Sequence, residues 1–166
     1  MRTLLMSILF TLGTGLIAQD TTIVMVRHAE KASATDPDSL LSDVGQQRAV
    51  ALVSQLAAFK PTVLYVSERR RTQQTMAPTA KYLGLQPRIH SSDAPETLAA
   101  EILKLHRGCT VAVAWHHGPH EAFAKALGVT IPLPAWTAST FDRIWLIRIP
   151  PKGPARFEER LQEPLR

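Results

Sequence analysis

Three short apolar runs, Thr22–Val26, Thr62–Val66 and Thr110–Ala114, each stop abruptly on cationic or titratable residues, and helix-patterned segments separate them. Runs this short and this continuously apolar read as strands buried on both faces. Such strands, alternating with helices, imply a mostly parallel sheet covered on each side, a three-layer α/β/α sandwich. In a parallel sheet the carboxyl ends share one edge, and open α/β folds bind ligands just beyond it. The groups at those ends are Arg27-His28, Arg69 to Arg71, and His116-His117. Uncompensated cations gathered there would repel by several kcal/mol, roughly, at short range. The arrangement makes sense for a multiply charged anion, and guanidinium groups grip phosphate bidentately. An imidazole is a nucleophile only while neutral, and the neighbouring Arg27 disfavours the imidazolium of His28. The competing reading is three separate solvated loops.

The intervening segments are consistent with one domain. Ser42 or Asp43 caps a helix whose apolar face is Ala49, Leu52, Val53 and Leu56, and Pro61 ends that element. A second helix is expected over Thr72–Leu83, with a kink near Pro78 and Gly84 as its stop. Arg88–His90 reads as a short strand, and Pro95–His106 as a helix with proline in its first turn. A helix over Pro119–Leu127 and a last strand over Phe141–Ile149 follow, leaving residues 150–166 as a Pro-rich, loosely held tail.

Composition excludes several classes. At 45% hydrophobic and 20% charged residues, the chain is an ordinary globular sequence, not a disordered one. The net charge of +5 comes without a long Lys/Arg run or interleaved aromatics, so no nucleic-acid surface is expected. The lone Cys109 opens an apolar run and reads as a buried, inert thiol. Residues 1–18 have the pattern of a secretory signal peptide. Arg2 supplies the positive region, Leu4–Ile17 the apolar stretch and Ala18 a small residue for cleavage, although Leu16 before it is not small. An exported protein, periplasmic or secreted, with no stable membrane anchor after cleavage is therefore expected, with residues 19–166 as its domain.

Four segments, in order and spacing, resemble the histidine phosphatase (phosphoglycerate mutase-like) superfamily, in its small single-domain exported form. Arg27-His28-Ala29-Glu30 is similar to the family's signature tetrad. Leu41 to Ala49 resembles its Leu-(Thr/Ser)-x-x-Gly-x-x-Arg-Ala helix start. Tyr65 to Thr75 is similar to its serine, arginine-threonine and glutamine-threonine segment, and Val111–His116 followed by Ala126-Leu127-Gly128 to the strand and helix around a second histidine. The resemblance runs from about Thr22 to Ile149. It implies a phosphoglycerate mutase-like fold and a metal-independent phosphatase, with no cofactor, acting on a small phosphomonoester or phosphorylated amino acid. It further implies that His28 is the phosphorylated nucleophile, that Arg27 and Arg71 clamp the phosphoryl oxygens, and that His116 donates to one of them.

Departures from the family pattern raise further expectations. Trp115 stands where relatives carry glycine, and should narrow the pocket or add a stacking face. His117 and His120 could add a further binding group; His117 is taken as substrate-binding, and His120 as a solvent-facing loop residue. Glu30 could orient the arginines. Asp93 and Glu96 lie where an acid for the leaving group might fall, but helix capping and dipole compensation are the preferred roles. The alternative functions are a phosphate-binding module without turnover, and a zinc site of His116, His117 and His120, a spacing that matches no common catalytic motif.

Overall fold

The structure, a computed structural model, describes residues 19–165. The three apolar runs form β1 (Thr21–Arg27), β2 (Val63–Ser67) and β4 (Thr110–Trp115), with β3 (Arg88–His90), β5 (Arg143–Ile149) and β6 (Arg156–Leu161) completing one sheet. Its order is β3-β2-β4-β1-β5-β6. The first four strands in that order are mutually parallel, and β5 and β6 add antiparallel at the β1 edge. The sheet is thus mostly parallel, as expected. Arg27 lies opposite Trp115, and Val66 opposite Ala114. The ends of β1, β2 and β4 are therefore level with one another.

Alternation along the strands makes two cores. Ile23, Met25, Val111 and Val113 pack beneath α3 (Pro95–Leu105) and α4 (His120–Ala126). Val24, Val26, Ala112 and Ala114 pack beneath α1 (Asp43–Ala57) and α2 (Arg70–Leu83). Each helix buries one apolar stripe against its face, which is the three-layer arrangement the runs imply.

The tail is not loose. β6 pairs along β5 from Arg143–Leu161 to Arg148–Arg156, Phe157 packs edge-on against Trp145 at 5.1 Å, and Trp145 Nε1 donates to Glu159 at 2.8 Å. Pro150, Pro151 and Pro154 fall before β6, in the turn around Gly153 (φ 100°), and Pro164 falls after it, so none interrupts the ladder. α2 begins two residues earlier than expected because Asp38, from the loop before α1, accepts from the Arg70 backbone N–H at 2.9 Å. It also continues through Pro78. Cys109 is half-buried at the start of β4. The signal-peptide expectation falls on residues 1–18, outside the described residues. No helix among the described residues is long and apolar enough to cross a membrane.

Candidate active site

Strand β1 delivers His28 to the sheet edge. Its backbone N–H extends the ladder to the Trp115 carbonyl at 2.9 Å, and the residue is 2% exposed. Nδ1 lies 2.8 Å from the Ala29 carbonyl, which can only accept, so Nδ1 carries the proton and Nε2 keeps its lone pair. Burial, opposed by the Ala29 bond and reinforced by Arg27, Arg71 and His116, pushes the His28 pKa down to about 3. The turn is fixed from α2: Thr75 Oγ1 accepts from the Ala29 N–H at 2.9 Å and donates to the Arg71 carbonyl at 2.7 Å.

The two arginines are held by backbone carbonyls. Arg27 Nη1 donates to the carbonyls of Thr137 (2.7 Å) and Thr140 (2.8 Å), and its guanidinium sits 4.1 Å above the Phe141 ring. Arg71 Nη1 donates to the Pro37 carbonyl at 2.8 Å. The Nε atoms of both are buried, with no protein partner among the described residues. Burial, and then Arg71, lower the pKa of Arg27 to about 10, so it remains a cation at neutral pH. Fixed, desolvated donors of this kind act strongly on a bound anion.

His116 closes the arrangement from β4, its ring centroid 5.5 Å from that of His28. Its Nδ1 accepts from Arg71 Nη2 at 3.2 Å, which places the proton on Nε2, 2.8 Å from Ser67 Oγ. Burial, then Arg71, lower its pKa to about 4, against the opposing pull of Glu68. Ser67 can pass its own proton to Thr72 Oγ1 (2.9 Å), which donates in turn to the Arg69 carbonyl at 2.8 Å. Every partner in this chain is satisfied, as a buried polar network requires.

Arg27, His28, Arg71, His116 and His117 all border one cavity of about 520 Å³, with Asp93 at its β3 side. The convergence expected of the strand ends is therefore present. A larger groove of about 790 Å³ runs between α1 and the Glu163–Leu165 segment, but it gathers none of these groups. His117 is exposed at the mouth, where burial, Arg27, Lys31 and Arg71 lower its pKa.

Several expectations need correction. Trp115 is fully buried and does not border the cavity; alternation along β4 places it with Val111 and Val113 in the core beneath α3 and α4. His120 is no solvent-facing loop residue. It opens α4, is 3% exposed, and stacks on Trp136 at 4.5 Å and against Trp145 at 4.8 Å. The described residues hold no group of histidines, cysteines and carboxylates placed to bind a metal ion.

Glu30 does not orient the clamp arginines. Its carboxylate is held by Arg48 Nε (3.0 and 2.9 Å) and Nη2 (2.6 Å), which anchors α1 to the end of β1. Burial raises the Glu30 pKa, but the Arg48 bonds outweigh it and leave the group lowered. Gly45 sits in the same contact, where a Cβ would come 2.3 Å from the Glu30 carbonyl oxygen. Asp93 does not cap α3: Ala94 is the cap residue, without a side-chain bond, and Glu96 lies in the first turn.

Sequence reasoning gave no role to Ser67, Thr75, Phe141 or Lys31. Ser67 and Thr75 stand within the quoted motif and Lys31 directly after the tetrad, so their positions carried a signal. Phe141 carried none.

The fold brings two histidines, His28 and His116, and two arginines, Arg27 and Arg71, to the border of one cavity in an α/β protein. Residues 23–92 match the model of the histidine phosphatase superfamily (branch 1). That segment, which carries β1 to β3 with Arg27, His28 and Arg71, is similar to that superfamily. No curated protein matches the sequence significantly. Among solved structures, mycobacterial hydrolase 1 superposes with a TM-score of 0.68 at 16% identity, covering 87% of this chain and 99% of its own. The mycobacterial glucosyl-3-phosphoglycerate phosphatase complexed with VO3 gives 0.65 at 18%, covering 85% and 98%. A candidate phosphohistidine phosphatase of Nakamurella multipartitia gives 0.63 at 22%, covering 90% and 99%. At these identities the likeness is one of fold.

Proposed function

We propose that the protein is a metal-independent phosphatase that hydrolyses a small phosphomonoester or phosphorylated amino acid through a phosphohistidine on His28. The observation that carries this reading is the fixed tautomer of His28: Nδ1–H is committed to the Ala29 carbonyl, so Nε2 keeps its lone pair in a cavity bordered by Arg27 and Arg71. Attack of Nε2 on phosphorus forms the N–P bond as the bond to the leaving oxygen breaks. The Ala29 carbonyl steadies the positive charge that develops on the ring, and the arginines hold the phosphoryl oxygens. Asp93, the carboxyl bordering the cavity among the described residues, protonates the departing oxygen. Water then attacks phosphorus, the N–P bond breaks, the lone pair returns to Nε2, and a proton from that water returns to Asp93. Inorganic phosphate leaves. Residues 1–18 support export as part of the same reading.

The test is turnover of p-nitrophenyl phosphate by the purified protein in a chelator, with vanadate as inhibitor. Activity that vanadate blocks and His28→Ala abolishes is expected. Tight vanadate binding without any turnover would point instead to a binding module.

A further inference from the structure

Four cations border the cavity, Arg27, Lys31, Arg69 and Arg71, and their charges are not equally answered. Arg69 Nε lies 3.2 Å from the Glu68 carboxylate. Arg27 and Arg71 flank the nucleophile and, with two positive charges, match a phosphoryl dianion. Lys31 is left over. Among the described residues no carboxylate comes within ion-pair distance of it, and its ammonium has one long contact, 3.4 Å, to the Ala34 carbonyl. The backbone beneath it is fixed, because Lys31 bridges to Leu41 and the Ala32 N–H donates to the Leu40 carbonyl at 2.9 Å. Asp93 does not answer the charge either. It follows β3, whereas Lys31 follows β1, and both β2 and β4 lie between those strands in the sheet. The cavity is also far larger than a phosphoryl group, within the range of sites that hold whole small molecules.

We infer that the site is built for a phosphomonoester whose leaving group carries a second negative charge, received by Lys31 at the β1 side of the cavity mouth. The inference rests on the phosphatase reading for the placement of the phosphoryl group between Arg27 and Arg71, and adds what the remainder of the substrate must be. A carboxylate or a second phosphate would serve, since both present oxygens to an ammonium point charge. A neutral sugar would leave Lys31 without a partner. Arg69, restrained by Glu68, contributes field and not a direct contact.

Binding of non-hydrolysable phosphonates separates this inference from the question of turnover. The pair 3-phosphonopropionate and propylphosphonate differs in one carboxylate, and calorimetric titration at low salt reads the difference. The expected result is about fivefold or greater preference for the carboxylate-bearing ligand, decaying as salt screens the contact. Lys31→Met should bring that ratio to about one, and Lys31→Arg should restore it. Equal affinities in the unmodified protein, or an unchanged ratio in Lys31→Met, would overturn the inference while leaving the phosphatase reading intact. A carboxylate preference without p-nitrophenyl phosphate turnover would do the reverse.

Discussion

Ser67 Oγ lies 2.8 Å from Nε2 of His116, and this contact decides which face of the imidazole can serve the cavity. With Nε2–H given to Ser67, Nδ1 accepts from Arg71. It can donate to a phosphoryl oxygen only after gaining a proton. The ring is thus poised to respond to an anion.

Proton uptake on anion binding follows. His116, its pKa at about 4, is neutral at pH 6, and a dianion beside Nδ1 stabilises the imidazolium. Binding of sulfate, a dianion already at pH 6, should take up close to one proton, read as a dependence of the calorimetric enthalpy on buffer ionisation heat. An enthalpy independent of buffer would contradict the assignment.

Ser67→Ala removes the acceptor of a buried N–H, a loss of about 1–3 kcal/mol. The charged ring suffers more than the neutral one, so the His116 pKa in the complex should fall. The expected outcome is kcat lowered about tenfold or more, with the basic limb of the pH–rate profile moved to lower pH. A uniform loss at all pH values would assign Ser67 a merely structural part.

Acid sensitivity comes from the buried histidines, His106 among them with a pKa lowered by burial, and above all from three. His28, His116 and His120 have folded pKa values of about 3, 4 and 4 against an ordinary value of 6.5, burial being the leading cause in each. Below pH 6.5 the unfolded chain binds protons that the folded chain refuses, so stability is full above that pH and falls as pH drops towards 4. Each group contributes a loss of up to about 1.4 kcal/mol per pH unit. Urea unfolding at pH 7.5, 6 and 5 should show the midpoint falling steadily, and His120→Phe should flatten the slope by about a third.

The Glu30–Arg48 pair and Gly45 lock α1 to the turn that follows His28. Glu30→Gln should cost about 2 kcal/mol, since it weakens charge-assisted bonds on a half-buried guanidinium. Gly45→Ala should cost about 2 kcal/mol or more, because the new Cβ meets backbone that cannot yield. Both are read from denaturant midpoints. Unchanged midpoints would show that the contact is slack.

The layer architecture was legible because strands buried on both faces leave unbroken apolar runs, and their common direction brought Arg27, His28, Arg71 and His116 together on paper as in space. Errors arose where the decisive partner was distant in sequence. Asp38 starts α2 across the fold, and Trp136 and Trp145 bury His120 beneath a loop that no periodicity marks. The β6 strand was hidden by counting the prolines of its turn against the whole tail. The cations nearest Glu30 in sequence are Arg27 and Lys31, whereas Arg48, in α1, holds it in two-pronged geometry. Trp115 adjoins His116 in the sequence, but strand alternation turns it to the opposite face, into the core with Val111 and Val113.

The central claim concerns a covalent bond, and it can be observed directly. Protein mixed with a ³²P-labelled aryl phosphate, quenched in alkali within the first turnover and digested, should yield one labelled peptide containing His28, with label that is stable to base and released by acid. The His28→Ala protein should carry none. Label on any other residue, or turnover with no label on His28 at any time point, would contradict the account.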